Sequence, residues 1–173
     1  MKETISIPTG GVEAMAPPDR ERFRFAMGHF ASGVAVVTSS DADINHGATI
    51  SAVSSVSLDP PQLLVCLNTR SATCKAITET GYFVLHILSA EQEALAFHFA
   101  APAGDKFSDE VGRRDEAGHF FLHEALVHMR CRVSETLTGG THRVFIAHVE
   151  TLEVEDGDPL VYFRGKFGKF NPG

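Results

Sequence analysis

In "PDRERFRFAMGHFA" (18–31), Phe23, Met27 and Phe30 recur at helical spacing, behind prolines and Asp19 and ahead of Gly33. That pattern predicts a helix over about 18–31. The following "VAVVTSS" (34–40) is β-branched enough for a strand, and "DADINHG" reads as a turn. "ATISAVSSVSL" (48–58) reads as one further strand, stopped by "DPP" because proline cannot donate to a ladder. "QLLVCLN" is a buried strand, "SATCKAITET" a short helix ending at Gly81, and "YFVLHILS" another strand. In "SAEQEALAFHFA", Gln92 follows Ser89 by three residues, the spacing of a capping box.

Residues 101–123 are polar and punctuated by glycine, which predicts a long loop. The last third is strand-rich: "ALVHMRCRVSETL", "HRVFIAHVETLEVE" and "PLVYFRG", with Gly139-Gly140 as the hairpin turn between the first two. Strands outnumber helices and often follow one another directly. The chain therefore reads as a mainly antiparallel barrel with peripheral helices, over residues 18–173. Residues 1–17, broken by Gly10, Gly11 and Pro17, read as a loose N-terminal arm.

Composition narrows the function. With 173 residues there is room for one well-cored domain. A net charge of −7 argues against generic binding to nucleic acid or an anionic membrane, and no apolar run approaches a membrane span. The N-terminus lacks the apolar core of a signal peptide. Cys66, Cys74 and Cys131 are odd in number and form no C-x-x-C, which fits a reducing cytoplasm.

Several familiar chemistries are missing. The nearest approach to a zincin is "HEALVH", where His123 and His128 are five apart instead of four, so no metal site is expected. There is no G-x-G-x-x-G after a strand, no P-loop and no G-x-S-x-G elbow. The tail "FRGKFGKF" interleaves basic and aromatic residues as RNA-binding segments do, but it is short and the protein is acidic.

The unusual stretch is 46–68, where five Ser or Thr precede the one formally charged residue, Asp59. In a continuous strand Thr49, Ser51, Ser55 and Ser57 share a face with Val53, while Ile50, Val56 and Leu58 point into the core. Close packing against another backbone accounts for such small residues. So does a flat, polar-edged ring lying along them. The second reading gains from "NTRSAT" (68–73), which puts Asn68, Arg70, Ser71 and Thr73 where a strand meets a helix start, a natural phosphate site.

These blocks, with "SATCKAI", "FHFA…DKF", "GGTHRVFIAHVE" and "GDPLVYFRGKF", occur in the order found in the flavin reductase-like family, which the chain resembles over roughly residues 20–170. The resemblance implies an FMN-binding split barrel, antiparallel and Greek-key-like, and a homodimer. It implies reduction of FMN or FAD by NADH or NADPH, with reduced flavin passing to a flavin-dependent monooxygenase. Carried over by position, the flavin ring lies along Thr49, Ser51, Ala52, Ser54 and Ser55. Its phosphate meets Asn68, Ser71 and Thr73, and Lys106 and Phe107 close over it.

The resemblance also puts His142, Tyr162, Arg164 and Gly165 around the nicotinamide nucleotide, with His142 assisting hydride transfer by positioning. Three positions on that side depart from the family pattern. Thr141 stands where Asp is common, Ala147-His148-Val149 where Gly-Glu-Val is usual, and Phe167 where a second Tyr often occurs. A flavin carrier for electron transfer or storage, without turnover, is the rival reading.

Overall fold

The computed structural model describes residues 17–171, apart from Asp43 and Ala103. The expected N-terminal arm therefore lies, except for Pro17, outside the described residues. The elements run α1 (Arg20–Met27), β1 (Ser32–Gly33), β2 (Ala35–Asp41), β3 (Ile44–Ile50), β4 (Val53–Leu58) and β5 (Pro61–Asn68). They continue α2 (Ala72–Thr80), β6 (Tyr82–Ile87), α3 (Glu93–Ala100), β7 (Gly112–Arg114) and β8 (Phe120–Leu122). The chain closes with β9 (Val127–Gly139), β10 (His142–Val154), β11 (Leu160–Phe163) and β12 (Lys166–Lys169).

Seven strands form one antiparallel sheet in the order β3-β2-β6-β9-β10-β5-β4. Its two edges, β3 and β4, are consecutive in sequence and joined only by Ser51 and Ala52. A three-stranded sheet β1-β11-β12 and the β7-β8 hairpin complete the described strands. The mainly antiparallel β architecture is as expected from the sequence.

β2 explains why "VAVV" carries no polar alternation: both of its faces are covered. Ala35 and Val37 join Val65, Phe83, Leu85 and Phe145 in the larger core. Val34 and Val36 pack the other way with Leu88, Phe99, Phe120 and Leu160. Helix α3 and strand β8 thus close a second core on the outside of the sheet.

A buried polar chain ties β8 to that outer face. The Thr38 hydroxyl donates to the Phe120 carbonyl at 2.9 Å and contacts His86 Nε2 at 3.0 Å, and His86 Nδ1 lies 2.8 Å from His128 Nδ1. A carbonyl only accepts, so Thr38 must accept from His86 Nε2–H. His86 Nδ1 is then bare and accepts from His128 Nδ1–H. Burial, and then the neighbouring His128, hold His86 well below the ordinary imidazole range, consistent with that neutral tautomer.

Several expectations change. The first helix is shorter, 20–27; its Phe23 and Met27, and Phe30 beyond its end, are exposed. The turn expected over 41–47 is much tighter, because β2 runs through Asp41 and β3 resumes at Ile44. The single strand 48–58 is two strands, and Val56 and Leu58, assigned to the core, are 46% and 91% exposed. The break at Ser51-Ala52 resets the alternation, and among the described residues edge strand β4 pairs only with β5.

Within the supposed loop 101–123, β7 and β8 form a short hairpin, and the basic tail supplies strand β12. The β9–β10 turn residues are Gly140 and Thr141, since Gly139 already pairs with His142. Half of the capping box forms: Gln92 Oε1 accepts from Ser89 N at 3.0 Å, but α3 begins after Gln92.

Candidate functional site

A continuous trough follows the end of β3, the Ser51-Ala52 break and the start of β4. It is made of three adjoining grooves. The first, about 880 Å³, runs between β3, the start of α2 and residues 99–102 and 104–107; Thr49, Asn68, Ser71, Thr73, Lys106 and Phe107 all line it. The second, about 300 Å³, shares Thr49, Asn68 and Ser71 with the first and adds Ser51, Ala52, Cys66 and His142. The third, about 1090 Å³, shares Ser51 and Ala52 with the second and adds Ser54, Tyr162, Arg164, Gly165 and α1. Thirteen of the fourteen residues expected at a site thus fall along one path. Ser55 lies outside all three grooves, exposed on the edge strand.

At the α2 end the sequence builds an N-terminus that is capped and open. Ser71 donates to the Asn68 carbonyl at 3.0 Å and accepts from Cys74 N at 3.1 Å, so its hydroxyl serves the helix. The N–H groups of Ala72 and Thr73 sit in the first turn, where no intrahelical acceptor exists. These N–H groups, rather than the Ser71 hydroxyl, are free of an intrahelical acceptor and able to donate to an anion. Asn68 Oδ1 accepts from Arg70 N at 2.9 Å and orders the approach to the helix. The Thr73 side chain is buried. Gly81, at φ 68, ends α2 in the left-handed cap expected for it.

The opposite wall is set by aromatic packing. Phe107 meets Phe99 and Phe120 at ring distances of 5.4 and 4.9 Å. Gly47 makes room for this, since a Cβ there would come within 2.6 Å of Phe99 and 3.1 Å of Phe107. Lys106 Nζ donates to the Phe99 carbonyl at 3.0 Å, satisfying the end of α3, and burial lowers its pKa. Thr49 donates to the Ala96 carbonyl at 2.6 Å. Its hydroxyl therefore positions α3 and leaves its methyl and backbone to the groove.

On the other side, strand register places His142 directly opposite Asn68. His142 Nδ1 lies 3.0 Å from the Thr141 hydroxyl, which restrains the ring at the mouth of the middle groove. Burial raises the thiol pKa of Cys66, in that groove, so the thiol is the resting form. Farther along, Arg164 and Gly165 are the central pair of the β11–β12 turn, both at positive φ (49° and 81°). Arg164 keeps a long side chain in a conformation costly for any residue but glycine. Its guanidinium lies 5.4 Å from the Phe25 ring centre, and its N–H donates to the Gly28 carbonyl at 2.9 Å. Tyr162 packs on Phe167 at 5.6 Å.

Sequence reasoning missed the contribution of α1 to the third groove, through Arg24, Phe25 and Met27, with Phe30 just beyond it. The available signal was a helix with aromatics on more than one side. Cys66, in the middle groove, and Asn45 and His46, on the wall of the first, stand in no motif that would single them out.

A curled antiparallel sheet with a trough that joins a helix N-terminus to a polar, uncharged strand has the shape and chemistry to take a flat, phosphate-bearing ligand. Residues 27–171 match the model of the "Flavin reductase like domain", and the chain belongs to that family. It is 45% identical to the reductase component of the 4-nitrophenol 4-monooxygenase/4-nitrocatechol 2-monooxygenase of Rhodococcus opacus, over 91% of this chain and 85% of that protein. It is 42% identical to an NADH-dependent flavin reductase of a Rhodococcus species, over 83% and 82%. The solved NADH:FAD oxidoreductase of Streptomyces globisporus C-1027 superposes with a TM-score of 0.85 at 30% identity, over 94% of this chain and 99% of that one. The fold is the family's split barrel.

Proposed function

We propose that the trough holds a flavin and a reduced nicotinamide nucleotide at once. The chain is an NAD(P)H-dependent flavin reductase. It oxidises NADH or NADPH and reduces FMN or FAD, and the reduced flavin serves a partner monooxygenase. The observation that carries this is the continuity of the trough. Thr49, Asn68 and Ser71 join its phosphate end to the middle groove, and Ser51 and Ala52 join the middle to the end beside Arg164.

Bound flavin supplies an acceptor for a hydride from the nicotinamide, so the protein needs no nucleophile or metal of its own. Its residues bind and orient. The first N–H groups of α2 take the flavin phosphate, and the small side chains of Ser51, Ala52 and Ser54 let the ring lie close to the backbone. His142 and Tyr162 border the face left for the nicotinamide, while Arg164, braced by Phe25, supplies positive charge for its phosphates. Phe107, wedged between Phe99 and Phe120, shields the opposite side from water.

Two further readings belong here. The chain acts as a homodimer in the cytoplasm. The dimer is supported by the unburied apolar residues of α1 and β4 and by Leu152 and Val154 of β10. The cytoplasmic location is supported by three unpaired cysteines. Among the described residues, no helix is long and apolar enough to cross a membrane.

The test is to mix the protein with NADH and either FMN or FAD and follow nicotinamide absorbance. Flavin-dependent oxidation of NADH is expected. Flavin binding with no loss of NADH turns the assignment to the carrier reading, and no binding of any flavin removes both. His142→Ala is expected to raise the KM for NADH or lower kcat while flavin affinity holds. Unchanged NADH kinetics would leave His142 a solvated hairpin residue. Ser71→Asp keeps an N-cap acceptor but adds charge beside the phosphate. It is expected to weaken FMN and FAD on the order of ten-fold relative to riboflavin, with little change in stability. Equal weakening of all three flavins would put the phosphate elsewhere.

A further inference from the structure

Side chains, not a ladder, join the β7–β8 hairpin to the large sheet: among the described residues its two strands pair only with each other. A lone two-stranded hairpin is marginal in water. Phe120 and Leu122 enter the outer core, and the Phe120 carbonyl accepts from Thr38. Phe121 lies against both rings of the His86–His128 pair, at 6.1 and 5.6 Å. The hairpin also backs the wall of the first groove. Phe120 meets Phe107, and the carbonyl of Ser108, next in the chain, accepts from Val111 N and Gly112 N at 3.0 and 3.1 Å. We infer that the hairpin is an acid-sensitive strap: a proton on His86 loosens it, and flavin in the trough, by holding Phe107, keeps it closed. The second half rests on the flavin reading above.

Donor and acceptor roles single out His86 among the imidazoles around this segment. His98 and His123 donate through Nε2–H to the carbonyls of Lys106 and Asp109, at 3.2 and 3.0 Å, and keep those bonds when protonated. His128 donates through Nδ1–H, which survives a proton on its other nitrogen. His119 lies 3.6 Å from the Asp115 carboxylate, so positive charge there tightens the turn. His86 needs a bare nitrogen. A proton on its Nδ1 sets two N–H groups head to head across 2.8 Å, beneath Phe121. The other charges nearby do not relieve this. Glu153 and Glu155 act on His128, and Arg130 of β9 lies over Phe121 and pairs with Asp115. Burial works against the Asp115 carboxylate, but the His119 N–H and Arg130 hold its pKa below the ordinary range, so the turn stays pinned in mild acid. The hairpin's remaining charged groups are Arg113, Arg114 and Glu116, and β6 itself adds Tyr82, whose hydroxyl burial pushes up to about 12. Loosening therefore begins at the Phe120–Phe121 end, the end that supports Phe107.

Hydrogen exchange of the β7 and β8 amides, corrected for intrinsic rates, reads the opening. In the wild type the opening constant is expected to rise by up to about ten-fold per pH unit below about pH 6.5, the slope of one proton. His86→Gln should flatten that slope, since an amide donates to Thr38 and accepts from His128 without titrating. His128→Gln keeps a donor toward His86 and should preserve the slope. A flat wild-type profile, a slope that survives His86→Gln, or one that His128→Gln abolishes overturns the acid sensor. FAD at about a hundred times its Kd should slow the same amides at least about ten-fold. Unchanged exchange in the FAD-bound protein overturns the coupling to the trough. Absence of FAD binding at neutral pH overturns the flavin reading and the coupling with it, whereas the acid profile is read without flavin.

Discussion

Helices α1 and α2 are eight and nine residues long, and each begins with a side-chain cap: Asp19 accepts from Arg22 N, Ser71 from Cys74 N. Yet α2 buries Thr73, Cys74, Ala76 and Ile77, whereas α1 buries nothing. α2 packs against β2, β3, β5 and β6, so its apolar side becomes part of the larger core. α1 is tied down chiefly at its end, through Gly28, Arg164 and the edge-to-face contact of Phe25 with His29. Phe23, Phe25, Met27 and Phe30 are each more than half exposed. Local signals make a helix start; they do not decide whether its apolar side finds a partner within the chain. α2 supports the fold and one end of the trough, while α1 lines the other end and leaves its aromatic side chains largely exposed.

The largest expected effect sharpens this contrast. Ile77→Ala in α2 should cost about 2–5 kcal/mol by urea unfolding, since Ile77 is fully buried. Phe23→Ala in α1 should stay within about 0.5 kcal/mol for the isolated chain. It should instead weaken self-association by sedimentation, since each phenylalanine buried at an interface contributes about 1.5–3 kcal/mol. A Phe23→Ala protein that unfolds as easily as Ile77→Ala would break the comparison.

Next in size is Thr38→Val, which removes a hydroxyl that both donates and accepts. His86 Nε2–H and the Phe120 carbonyl would be left unpaired inside the outer core, at a cost of about 1–3 kcal/mol. Thr38→Ser should recover most of it.

The same chain sets a pH dependence. His86 is held below its unfolded value, so the unfolded state takes up a proton before the folded state does. Its contribution is fully present above about pH 6.5 and is lost as pH falls from there through the lower folded value. Unfolding free energy should fall by up to about 1.4 kcal/mol per pH unit below that point. A flat profile between pH 7 and 5.5 would contradict a neutral, buried His86.

The smallest effect returns to the caps. Ser71→Ala should cost about 1 kcal/mol of global stability. Asp19→Ala should cost only a few tenths, because α1 can fray without opening a core. Hydrogen exchange should show α1 amides opening far more readily than those of α2.

Much of the site was legible in sequence. The uncharged hydroxyl run marks Thr49, Ser51, Ala52 and Ser54 on the trough, and the Asn68–Ser71 strand-to-helix junction marks one end of it, because small polar residues and capped helix starts are local signatures. The strand character of "VAVV", the cap at Ser71 and the stop at Gly81 were likewise set by propensity and backbone sterics within a few residues. Tertiary structure alone decided the rest. It broke the 48–58 segment at Ser51-Ala52, left Val56 and Leu58 on an open edge, and folded 112–122 into a hairpin whose Phe120 closes a second core. It put His142 opposite Asn68 by register and joined Thr38, His86 and His128, from three strands, into one chain of hydrogen bonds. Burial and pairing depend on what arrives from far along the chain, and a pattern read a few residues at a time carries no record of that.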